Sequence, residues 1–107
     1  MSAEGTIQIV KLTSGEELIG KVGEVEVGGS VLVQIEKPAV VMLIPDQKEE
    51  GKFGVGLAPY APYADGDFIP IFPNHIISIF NPAKALLDEY NKHYGSKIIM
   101  PESKIQV

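Results

Sequence analysis

Cysteine is absent from this 107-residue chain, and so is arginine. Without Cys there is no disulfide, no thiolate metal site and no Cys nucleophile. Without Arg, all nine basic residues are Lys, set against fourteen acidic ones, and the formal net charge is −5. Attraction to phosphate scales with the cations presented, and Arg is the planar donor best suited to phosphates and bases. A nucleic-acid site would therefore be local, built from a few Lys, backbone N–H groups and stacking rings. Long apolar runs are missing too. The longest, residues 39–44, falls far short of the ~20 residues that cross a bilayer as a helix. The opening Met-Ser-Ala-Glu-Gly-Thr has neither a basic nor an apolar stretch and does not read as a signal peptide. The expectation is a soluble cytoplasmic protein with no membrane partner.

The material for catalysis is equally thin. There are two His and no nucleophile elbow. Glu16-Glu17 and Glu49-Glu50 are adjacent, so in strands each pair splits to opposite faces and reads as solvated charge. Asp65-Gly66-Asp67 resembles a fragment of a calcium loop without its further ligands. No enzyme, metal or cofactor is expected.

What is present is a globular composition, with 45% hydrophobic and 21% charged residues. One domain over residues 1–107 is expected, small enough for self-association to add usefully to its buried area. Most of it reads as strand. Residues 6–12 are rich in β-branched side chains, and Thr13-Ser14-Gly15 is a turn cluster. Leu18, Gly20 and Val22 share a face, followed by Val25 and Val27, and the change of parity around Gly23 predicts a bulge or bend there. Gly28-Gly29-Ser30 reads as a tight hairpin turn. Val31, Val33 and Ile35 alternate inward with Gln34 and Glu36 outward, up to Lys37-Pro38. Residues 39–44 do not alternate, which predicts cover on both faces. Residues 45–52 are a polar hairpin tip. Pro59 and Pro62 confine residues 53–63 to an edge strand or ordered loop, in which Tyr60 and Tyr63 read as packing residues. Residues 64–67 read as a turn, and residues 68–72 and 76–80 as short strands joined by Pro73-Asn74-His75.

A helix is predicted over residues 82–94. Asn81 is its capping residue and Pro82 its first position. Ala83, Leu86, Leu87, Tyr90 and Tyr94 form its apolar face, Lys92 and His93 its last turn, and Gly95 its stop. The tail, residues 95–107, carries Ile98, Ile99, Ile105 and Val107 around Pro101 and reads as an added strand or a packing arm. The whole pattern predicts a mostly β fold: a small, strongly bent five-stranded antiparallel barrel over residues 6–80, with the C-terminal α-helix covering one open end.

Two segments carry a family resemblance. In the first, Leu12, Gly15, Gly20 and Val22 stand at the spacing of the first Sm motif, with Glu26 at its acidic position. In the second, Ile71, Asn74, His75, Ile76 and Ile79 follow the second motif. The chain thus resembles the Sm family over about residues 7–80, and is similar to the divergent Sm-like proteins encoded by cyanophages. It departs from the family in starting almost directly with a strand. Gly29-Ser30 stands where the family has its Met-Asn pair, and Phe72-Pro73 where it has Arg-Gly.

The resemblance implies a homo-oligomeric ring of about five to seven subunits, in which residues 68–72 of one chain pair with residues 76–80 of the next. Phe68, Ile69, Ile71, Ile76, Ile77 and Ile79 are then the interface residues. It also implies single-stranded RNA as partner, held at the pore or an adjoining face by Gly29, Ser30, Phe72, Asn74 and His75. Phe72 would stack on a base, since that contact needs no charge. His75 reads more readily as a turn residue serving local backbone than as an RNA ligand. The alternative is a structural or protein-binding adaptor ring without nucleic acid, which the acidic balance and the missing Arg favour.

Overall fold

The computed structural model describes residues 6–95. It holds six strands and one helix: β1 Thr6–Leu12, β2 Glu17–Val27, β3 Ser30–Pro45, β4 Phe53–Pro59, β5 Phe68–Ile71, β6 Ile76–Phe80 and α1 Lys84–Tyr90. The sheet is antiparallel in the order β4-β3-β2-β1-β6, with β5 also on β3. β4 and β5 occupy successive stretches of the same edge. β4 runs opposite Ala39 to Pro45 and β5 opposite Val33 to Glu36. They are two halves of one edge strand, interrupted by residues 60–67. Counted so, the sheet has the five expected strands.

The bend sits elsewhere than at Gly23, which pairs regularly with Gln34. Ile19 faces Ala39 but Lys21 faces Glu36, so the two residues Lys37-Pro38 stand opposite the single residue Gly20. This is a β-bulge, the device that bends a strand and tightens its twist. Gly20 is required there. A Cβ would lie 2.6 Å from Ile35 Cγ2 and 2.9 Å from the Glu36 carbonyl oxygen.

The bulge leaves backbone groups to satisfy, and each finds a partner. Lys37 N–H donates to the Asp67 carbonyl at 2.7 Å, and Tyr60 N–H to the Pro38 carbonyl at 3.1 Å. The Tyr90 hydroxyl donates to the Lys37 carbonyl at 2.7 Å, with the Glu36 carbonyl 3.3 Å away. Tyr90 is 2% exposed. Burial, then the nearby Glu36 carboxylate, push its phenol well above the usual range.

Bending gives the sheet two buried faces. Val10, Leu12, Leu18, Val22 and Ile35 fill one, joined by Val33, Val40, Tyr60, Ile71 and Ile76. Their neighbours Ile9, Ile19 and Ala39 fill the other, under Tyr90, Leu86 and Tyr94 of the helical segment. The helix therefore lies on the outer face of the sheet and not over an open end. It also starts later than residue 82. Ala83 is the N-cap, and the turns widen into a π-helix over Asn91–Gly95. The Asn81 side chain accepts a hydrogen bond from Gln8 Nε2 at 3.3 Å, which ties it to β1 and away from capping. Ala83 is exposed, whereas Leu86 and Leu87 are half-buried.

Two further expectations change. Val31 is exposed beside the hairpin turn, beyond the reach of the core, and Leu32 is buried in its place. Cover on residues 39–44 ends after Val41, and Leu43 is 69% exposed. The tail beyond Gly95 lies outside the described residues.

Candidate nucleic-acid interface

Local rules set both loops of the expected site. Gly28 and Gly29 have φ of +58° and +85°, the left-handed pair that a two-residue hairpin turn of the primed type needs. Ser30 follows as the first residue of β3. Phe72 is extended, and Pro73 fits the first position of a 3-10 turn over Pro73–His75. His75 N–H closes that turn on the Phe72 carbonyl at 3.0 Å, and the His75 carbonyl accepts from Thr13 N–H at 2.8 Å. The second loop is thereby fixed to the β1–β2 turn.

The β3–β5 register pairs Val33 with Ile71, three residues from Ser30 on one strand and three from Asn74 on the other. Gly29, Ser30, Phe72, Asn74 and His75 are all exposed, Phe72 by 60%. Neither loop contains Lys. Glu16 lies in the adjoining β1–β2 turn, and Glu26 faces Val31 across the hairpin. The surface offers one aromatic ring, an amide, an imidazole and backbone groups. It is equipped to stack and to hydrogen-bond, with no charged clamp for phosphate.

The expected interface residues divide. Phe68, Ile77 and Ile79 are exposed, by 54%, 59% and 40%. Ile69 is half-buried, while Ile71 and Ile76 pack against the barrel core. Among the described residues β6 pairs only with β1, and β4 and β5 only with β3, so the outer edges of the sheet are unpaired. Pro70 sits in β5, a placement that a sheet edge tolerates. No helix among the described residues is long and apolar enough to cross a membrane.

Sequence reasoning placed the bulge at Gly23, three residues past Gly20, and missed the excursion of residues 60–67 that rests on it. The signals were Lys37-Pro38 inside an apolar strand and Pro59 with Pro62 around Tyr60. Each reads as an interruption, but pairing the two interruptions requires the fold.

An open, strongly bent antiparallel sheet, with a glycine at the bulge of its second strand and a short turn between its last two strands, fits the Sm type of fold. The comparison with family models agrees: the Sm-like domain matches residues 9–91. The chain belongs to the Sm-like family. No curated protein matches the sequence.

Proposed function

We propose that the chain assembles into a homo-oligomeric ring and binds single-stranded RNA through the loops of Gly29-Ser30 and Phe72–His75. The observation that carries this reading is an exposed Phe72 ring held on a turn that is bonded to the β1–β2 turn. Every base offers a π-face, so a presented ring suits an unpaired strand. Assembly follows from the two unpaired sheet edges, which template association, and from Phe68, Ile77 and Ile79 beside them. Family membership supports both steps. The test is fluorescence anisotropy with short single-stranded RNAs at low salt. Phe72→Ala weakens binding by about 1–3 kcal/mol, and the salt dependence is shallow because few counterions are released.

A second reading is a structural or protein-binding ring without RNA. It is favoured by the absence of Lys from both loops and by the net charge of −5. No binding by any RNA at high micromolar protein, with the ring intact, selects it.

A further inference from the structure

Residues 60–67 leave the sheet edge and return to it. Between them and the end of the helical segment lies a cleft of about 430 Å³, within the ~300–1,000 Å³ of ordinary small-ligand sites. Lys37, Tyr60, Asp67, His93 and Tyr94 supply its chemistry. Two of its lining residues, Lys37 and Ala61, have φ of +52° and +56°. Residues with side chains seldom adopt that conformation, and it gathers at ligand sites. Here it is fixed by the Lys37–Asp67 and Tyr60–Pro38 backbone bonds and by the Tyr90 hydroxyl on the Lys37 carbonyl.

Two of the side chains have partners of their own. The Tyr94 ring is backed by Tyr90, with centroids 5.2 Å apart and planes 9° from parallel. His93 Nε2 lies 2.9 Å from the Glu89 carboxylate, which orients the imidazole.

These groups do not suit a purely apolar ligand, which would leave Lys37, Asp67 and His93 unmatched. A simple anion would leave both rings idle and meet Asp67 unfavourably. A molecule with a planar ring, an anionic group and N–H or O–H donors uses all of them. We propose that the cleft binds a nucleotide: its base stacks on the tyrosines, its phosphate turns to Lys37 and His93, and its donors turn to Asp67. The site is separate from the Phe72–His75 loop and supplies a lysine, which that loop lacks. It does not depend on RNA binding there. A free mononucleotide and a nucleotide within an RNA strand present the same chemistry.

Isothermal titration of the full chain with AMP tests this, with adenosine and inorganic phosphate as half-ligands and a short oligoadenylate as the strand. AMP binds saturably, one to each chain, and each half-ligand binds about tenfold or more weakly. His93→Gln and Lys37→Asn each weaken AMP about fivefold or more; Asn tolerates the left-handed backbone at position 37. Phe72→Ala leaves AMP binding unchanged, which separates this site from the loop. Oligoadenylate binding much tighter than AMP, and lost in the same variants, identifies the strand as the source; equal affinities identify the free nucleotide. His93 is exposed, so His93→Gln carries the test even where Lys37→Asn perturbs folding. Absence of saturable binding by both AMP and oligoadenylate at ~1 mM overturns the proposal, as does AMP binding indifferent to His93→Gln.

Discussion

Tyr90→Phe isolates the contact that fastens the helix to the bend. The substitution keeps the ring against Ile9, Ile19 and Ala39 and deletes only the hydroxyl. That hydroxyl donates to the Lys37 carbonyl at 2.7 Å, in a side chain 2% exposed. A typical net hydrogen bond contributes about 0.5–1.5 kcal/mol, and a buried acceptor left without a donor costs about 1–3 kcal/mol. The Lys37 carbonyl belongs to a bulge and has no strand partner to fall back on, so the expected loss is about 1–2 kcal/mol. Urea unfolding at fixed protein concentration measures it, since the proposed assembly would make apparent stability concentration-dependent. Tyr90→Ala provides the contrast: it also removes the ring and should cost about 3–5 kcal/mol. Equal midpoints and slopes for wild type and Tyr90→Phe, within about 0.3 kcal/mol, would refute the claim that this hydroxyl secures the bulge.

The raised Tyr90 pKa gives the same contact a pH signature. Below the ordinary tyrosine value near 10 both states are neutral and the contribution is complete; as pH rises past it, the unfolded chain ionises while the folded one holds its proton. The stability advantage of wild type over Tyr90→Phe should therefore shrink above about pH 10, and an advantage that grows there contradicts the burial argument. Gly20→Ala places a Cβ 2.6 Å from Ile35 Cγ2 and 2.9 Å from a carbonyl oxygen that cannot swing away. It should cost about 1–3 kcal/mol by thermal or urea unfolding, and an unchanged midpoint would mean that the strands separate freely at the bulge.

Much of the strand order was legible because short-range rules governed it. Thr13-Ser14-Gly15, Gly28-Gly29 and Pro73-Asn74-His75 are turns by their own chemistry, and the structure turns at each. The bend was misplaced at Gly23 because parity along β2 alone locates a kink only roughly. The deciding contact is between Gly20 and residues 35–38 of β3, distant in sequence. Likewise Asn81 has the composition of a cap, but Gln8 of β1 competes for its side chain. Of the loop residues, Phe72, Asn74 and His75 could be placed on one turn from sequence, and Gly29 and Ser30 on another. The pairing of the strand before Phe72 with the strand that begins at Ser30 could be read only from the fold. The cleft was invisible for the same reason: Lys37, Tyr60 and His93 belong to three segments that meet only at the bulge.

The ring is the premise on which the RNA-binding reading rests, and its mass is the most direct measurement. Light scattering on the full chain at micromolar concentration should give a single species of about five to seven times the 11.6 kDa chain mass. A stable species at 11.6 kDa alone would contradict the account.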